Sequence, residues 1–180
     1  MIEGIIFDMD GVISDTQKLH SKVEAELLGR FGIEITPEEI TRRYSGVRTK
    51  EFFSDLLETQ EKDYNLDELM GEKWERMNEF ASVSVDSILG SIELIKELSS
   101  KGYVMAVASA SNSNYVQTVL ETLGVLEDFS YVVCGDMVSK GKPDPESFLL
   151  AASNINVSPK DCLVIEDGIS GMEAARRAGM

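Results

Sequence analysis

Asp8 and Asp10 stand two residues apart where the apolar run at residues 5 to 7 stops, in "GIIFDMDGV". A continuous apolar run suits a strand covered on both faces, and two like charges are a costly way to end one. Extended chain sets the two carboxylates roughly 6 to 7 Å apart on one side. That spacing suits flanking a small reacting group better than a bond between the two. Gly11 follows and lets the backbone turn sharply toward a ligand. Three further apolar runs also end in chemistry. The run at 103–109 leads into "ASASNSN", where Ser109, Ser111 and Asn112 offer neutral donors. The run at 131–134 leads to "SKGKPDP", with Lys142 extended before Pro143. The run at 162–166 ends on Glu166, with Asp167 and the glycine turn "DGISG" after it.

Acids, hydroxyls, an ammonium and acids again would thus meet at one edge. Carboxylates that converge repel, and burial pushes their pKa values up. A divalent cation relieves both effects. Oxygen ligands with no cysteine or histidine beside them suit Mg2+, which keeps several waters and commonly shares a few carboxylates with a substrate phosphate. Mg2+ and Lys142 together supply the positive charge that phosphoryl transfer needs. Each residue also has a plainer use. Asp8 and Asp10 fit a strand-ending turn, Ser109 a satisfied strand end, and Lys142 a solvated loop lysine beside Lys140. Glu166 and Asp167 fit caps for a helix starting near residue 169.

The elements that position these groups follow from periodicity. Val116, Val119, Leu120 and Leu123 lie at helix spacing between the second and third runs, and Phe148, Leu149 and Ala152 follow the helix start "DPES". Strand and helix in alternation predict an α/β fold, a parallel sheet layered between helices. About 95 residues separate the first two runs, far more than one crossover helix needs. Helix signals fill that interval. "SDTQ" at 14–17 reads as a capping box ahead of Leu19, Val23, Leu27 and Phe31, and "TPEE" at 36–39 as another with Pro37 at the first helical position. Further apolar sets fall at Phe52, Phe53, Leu56 and Leu57, then at Leu69, Trp74 and Met77. The reading is an all-helical cap over residues 16–83, inserted into a core made of 1–15 and 84–180. Gly90 and the helix "SIELIKEL" bring the chain back to the second strand. Ligands bind outside the carboxyl ends of parallel strands, so this insert hangs over the site as a lid.

Composition bounds the partners. The 180 residues are 43% hydrophobic and 27% charged, ordinary for a soluble globular protein. With 17 basic against 32 acidic residues and a net charge of -15, the chain is unsuited to nucleic acid. No run of about 18 apolar residues suggests a membrane span, and no basic region followed by a long apolar one suggests a secretory signal. Cys134 and Cys162 lie at the ends of apolar runs without metal spacing, which reads as two free thiols in a reducing compartment. A monomeric cytoplasmic protein is expected.

Over essentially its whole length the sequence resembles the haloacid dehalogenase-like superfamily of phosphohydrolases, in the branch of β-phosphoglucomutase and phosphoglycolate phosphatase. "DMDGV", Ser109, "GKPDP" and "EDG" at 166–168 match that superfamily's four motifs in order. The resemblance implies a three-layer, Rossmann-like core with a helical cap. It implies Asp8 as nucleophile through an aspartyl phosphate, Asp10 as general acid and base, and Ser109 with Lys142 as holders of phosphoryl oxygens. Mg2+ would be held by the Asp8 side chain, the Asp10 carbonyl and Asp167, with Glu166 direct or through water. Ser111, Asn112 and His20 become substrate contacts, with Arg48 or Lys50 in "GVRTKEFF" as the cap's basic residue; His20 also reads as an ordinary helix histidine beside core Leu19. The implied activity is a Mg2+-dependent phosphatase of a small phosphorylated metabolite, a sugar phosphate or short phospho-acid. A phosphosugar mutase of the β-phosphoglucomutase type is the second reading. A receiver-like phosphoacceptor, with Asp136 as its only candidate aspartate, fits less because such domains lack the insert. Relatives continue past "ARRAGM" into a further strand and helix, so the fourth strand is expected as an exposed edge.

Overall fold

The computed structural model describes residues 2–58 and 64–180. Four parallel strands, β1 (Gly4–Phe7), β2 (Val104–Ala108), β3 (Tyr131–Val133) and β4 (Cys162–Ile165), form one sheet in the order β3-β2-β1-β4. Their alternation sorts the core into two layers. Ile5, Phe7, Met105 and Val107 face one side, and Ile6, Ala106, Ala108 and Val133 face the other. The first side is covered by α5 (Ser91–Ser100) and α6 (Ser113–Thr122), through Ile95, Val116, Val119 and Leu120. The second is covered by α7 (Glu146–Asn154) and α8 (Ile169–Ala178), through Phe148, Ala151, Ala152, Ala174 and Ala178. This is the three-layer α/β arrangement expected from the alternating pattern.

Between β1 and α5 lie four helices, α1 (Gln17–Gly29), α2 (Pro37–Tyr44), α3 (Thr49–Leu57) and α4 (Leu66–Val83). They bury Val23, Leu27, Leu28, Ile40, Phe52, Phe53, Leu57 and Met77 among themselves and against the sheet layer beneath. Truncating either buried phenylalanine to alanine costs about 3–5 kcal/mol by the usual cavity argument. Thr36 caps α2, its hydroxyl accepting from the Glu39 amide at 3.2 Å, with Pro37 opening the helix as expected. The proposed box at 14–17 is not formed. α1 starts at Gln17 behind Thr16, whose side chain makes no cap bond, and Ser14 is buried with its hydroxyl on the Met9 carbonyl at 3.3 Å. Both hydroxyls serve the site instead. Among the described residues, no helix is long and apolar enough to cross a membrane.

Register fixes what the strand ends deliver. Phe7 is level with Val107 and Ile165, so Asp8 stands beside the ends of both neighbours. The ladder runs one step further, the Asp8 amide donating to the Ile165 carbonyl at 2.9 Å and the Ser109 amide to the Val133 carbonyl at 2.9 Å. Ser109 and Glu166, read above as strand residues, come just after strand ends. β1 sends its chain to one face of the sheet and β4 to the other, and a crevice opens between their carboxyl ends.

Candidate active site

Asp8, Lys142 and Glu166 form a buried ionic knot in that crevice. The Lys142 ammonium donates to Asp8 Oδ1 at 2.6 Å and to Glu166 Oε2 at 2.7 Å. Phe148 lies under the same ammonium, 4.9 Å from its ring centre, and the Lys142–Pro143 peptide is cis. Burial, the largest influence, pushes the Asp8 carboxyl up to about 8; Lys142 pulls it down and Glu166 pushes it further up. Burial also acts to lower the Lys142 ammonium, but Asp8 and Glu166 outweigh it and hold it above its ordinary value.

Asp167 completes a set with Asp8 and Glu166 in which one oxygen of each lies within 4.8 Å of the others. Around one cation with bonds of about 2.1 Å, oxygen ligands lie roughly 3 to 4 Å apart, so the three fit a common ion. Gly11, at φ +96°, permits this approach: a Cβ there would meet Asp167 Oδ2 at 2.3 Å. Burial and then Glu166 raise Asp167, as expected where acids gather without their counterion. A divalent cation is the natural neutraliser of three acids that share one ammonium.

Asp10 turns away from the knot. Its Oδ1 accepts from the Thr16 hydroxyl at 2.5 Å and lies 3.1 Å from His20 Nε2, and its Oδ2 accepts from the Ser111 hydroxyl at 2.8 Å. Burial alone would raise this carboxyl, but the charge and hydrogen bond of His20, with those of Thr16 and Ser111, outweigh it and hold it at about 2. Its backbone carbonyl accepts from Gln17 Nε2 at 2.7 Å. Ser109 is buried, and its Oγ accepts from the Ser111 amide at 3.0 Å, leaving its proton for another acceptor.

The remaining expected contacts sit differently. His20 lies on Asp10, wedged edge-on against Tyr115 with ring centres 5.2 Å apart. Asn112 caps α6, its Oδ1 accepting from the Tyr115 amide at 3.0 Å. Lys50 is exposed, and its neighbour Arg48 is fully engaged with protein groups. Arg48, Lys50 and Asn112 nevertheless line one open cavity of about 350 Å3, with Trp74 and Asp136.

The sequence reading passed over a buried ion pair in the cap. Lys73 donates to Glu24 Oε1 at 2.5 Å and to the Thr49 hydroxyl at 2.6 Å, over the Trp74 ring at 4.5 Å. Glu24, Thr49 and Lys73 line a half-open cavity of about 50 Å3 together with Asp8, Asp10 and Gln17. A signal for Lys73 was present, since Leu69, Lys73, Met77 and Ala81 recur every four residues on the buried face of α4. A lysine inside an apolar stripe needs a partner.

A family model described as haloacid dehalogenase-like hydrolase matches residues 5–180. The chain is 34% identical over 177 residues to a fructose-1-phosphate phosphatase of Escherichia coli, covering 98% of this chain and 93% of that one. It is 31% identical over 186 residues to a β-phosphoglucomutase of Bacillus subtilis, covering 99% and 81%. A crystal structure of CbbY from Rhodobacter sphaeroides in complex with phosphate superposes with a TM-score of 0.88 at 28% identity, over 100% of this chain and 84% of that one.

Proposed function

Since the chain belongs to the haloacid dehalogenase-like hydrolases, we propose that it is a Mg2+-dependent phosphatase of a small hydroxylated phosphomonoester, a sugar phosphate. The observation that carries this is Lys142 bonded to both Asp8 and Glu166, with Asp167 beside them. Asp8, Glu166 and Asp167 would hold the cation. When bound, it would neutralise these acids and draw charge from the phosphoryl oxygens.

Asp8 Oδ attacks phosphorus in line, and the bond from phosphorus to the leaving oxygen breaks. Asp10 gives that oxygen its proton. A water then loses a proton to Asp10 and attacks the same phosphorus, freeing phosphate and restoring the Asp8 carboxylate. Held at about 2, Asp10 is a base as it stands. A phosphate, whose second ionisation lies near pH 6, brings both negative charge and a proton, so Asp10 becomes an acid with substrate bound. The Ser109 hydroxyl and the Lys142 ammonium hold phosphoryl oxygens meanwhile.

Gln17, Glu24, Thr49 and Lys73 present donors and acceptors in alternation, which suits sugar hydroxyls. They also weigh against the mutase reading. Among the described residues lining this cavity, Lys73 is the only lysine or arginine, and Glu24 neutralises it. A second phosphate would meet a carboxylate there. We assign the protein to the cytoplasm as a monomer, where its free thiols Cys134 and Cys162 stay reduced.

Turnover of fructose 1-phosphate and p-nitrophenyl phosphate with Mg2+, with and without glucose 1,6-bisphosphate, tests the reading. Phosphate release without the bisphosphate is expected, falling about 10²–10⁴-fold in Asp10→Asn. Isomer conversion that needs the bisphosphate would move the assignment to a mutase. A folded, Mg2+-loaded protein that releases phosphate from no monoester would overturn the enzyme.

A further inference from the structure

Besides the packing of α4 on α6, where the Thr122 hydroxyl donates to the Ala81 carbonyl at 3.1 Å, the cap meets the core at residues 45–48, whose contacts span the crevice. On one side the Ser45 carbonyl accepts from the Ser170 hydroxyl at the start of α8, at 2.8 Å. Gly46 passes over the knot, where a Cβ would stand 3.8 Å from Lys142 Cδ and 3.9 Å from Glu166 Oε1. On the other side Arg48 reaches across to the loop between β3 and Lys142. Its Nη1 donates to the carbonyls of Val138 at 2.7 Å and Gly135 at 3.3 Å, and its Nη2 to the carbonyl of Ser139 at 3.0 Å. Its Nε donates to both oxygens of Glu51 at 2.9 Å, and Nη2 completes that fork. The stem lies on Gly141, where a Cβ would come 2.9 Å from both Arg48 Cγ and Nε. Lys142 is the next residue.

All five donors of the guanidinium are therefore spent, three carbonyls of one short loop being gathered on a single side chain of the cap. That loop has a second tie, the Glu146 carboxylate accepting from the Ser139 and Lys140 amides, each at 2.9 Å. Glu146 belongs to the core and holds the loop whatever the cap does. Arg48 belongs to the cap and holds it only when the cap is down.

We propose that Arg48 is a positioning residue that fastens the loop carrying Lys142 when the cap closes, so that the ammonium is set between Asp8 and Glu166 only over a covered substrate. The coupling makes closure a condition of charge placement. It concerns a residue away from the reacting atoms and rests on the phosphatase reading only in its kinetic arm.

The test combines amine acylation by N-hydroxysuccinimidyl acetate, read by peptide mass spectrometry, with steady-state kinetics of R48A and R48K. The Lys142 side chain is 1% exposed and that of Lys101 59% exposed, so Lys101 serves as the internal reference. Relative to Lys101, acylation of Lys142 is expected to speed up about tenfold or more in R48A. R48K, which keeps the charge but not the planar fork, is expected to fall between R48A and the parent protein. With p-nitrophenyl phosphate and fructose 1-phosphate alike, kcat should fall by about tenfold while KM stays within about threefold. Unchanged protection of Lys142 in a folded R48A overturns the proposal whatever the kinetics do. A KM increase for the sugar phosphate alone, with protection intact, makes Arg48 a substrate contact and also overturns it. If R48A does not fold, R48K decides by the same labelling, and labelling equal to the parent counts against the idea. Because acylation needs no turnover, a failed phosphatase assignment leaves this answer readable.

Discussion

Asp10 is held ionised by its neighbours. The charge and hydrogen bond of His20 are the leading forces that lower it against burial. In His20→Ala burial meets less opposition, so the Asp10 pKa rises. A base with a raised pKa is protonated over a wider acidic range. The acid limb of kcat/KM, outside the working range in the parent protein, is therefore expected to move toward neutral pH, with about tenfold loss per unit below it. A profile from pH 4 to 9 at saturating Mg2+ checks this, and an unmoved limb would show that His20 does not set the Asp10 charge. Asp8 behaves in the opposite sense. Burial and Glu166 push it up against the pull of Lys142, so a bound cation favours its ionised form. Two carboxylates two residues apart thus differ by environment alone.

At the scale of elements, α8 is shaped to admit Glu166. A Cβ on Gly171 would lie 2.0 Å from Glu166 Cδ. In Gly171→Ala the helix gains up to about 1 kcal/mol of propensity, but the carboxylate must leave, and overpacking costs about 1–3 kcal/mol. A net loss of stability is expected in urea titrations. Lys142 also keeps one acidic partner of two, so kcat/KM should fall by at least about tenfold. A stable, fully active variant would mean that Glu166 has room elsewhere. The strands and their terminal motifs were legible because short apolar runs end abruptly in charge or hydroxyl, as at Phe7–Asp8 and Ile165–Glu166. The Thr36–Pro37 start was legible because its cap is local. The box at 14–17 misled because Thr16 looks the same whether it caps a helix or bonds Asp10. Glu24 and Lys73 find each other across two helices 49 positions apart, and Arg48 finds its carbonyls 87 to 91 positions away. Such pairings follow from packing, which spacing along the chain does not carry.

For the whole molecule, closure and access conflict. The space of about 50 Å3 beside Asp8 and Asp10 admits a few waters, whereas a small-ligand pocket commonly holds about 300 Å3 or more. The cap must lift for substrate to enter. Amide hydrogen exchange should therefore be much faster at residues 45–49 than at Val116 and Val119 in α6, and should slow when Mg2+ and orthovanadate occupy the crevice. Equal protection of both segments in the free protein would mean that substrate enters by another route.

The place of β1 inside the sheet has a consequence for biosynthesis. Gly4 pairs with Val104 on one side and Cys162 on the other, so β1 leaves the ribosome ahead of partners made about 100 and 160 residues later and waits for them. At roughly 5–20 residues per second that wait is on the order of 5 to 30 s. The cap helices emerge in the meantime and need mostly one another. The nascent chain can thus carry a folded lid before there is a sheet for it to cover, and the nucleophile, made well ahead of the strands that flank it, is among the last residues to acquire its neighbours.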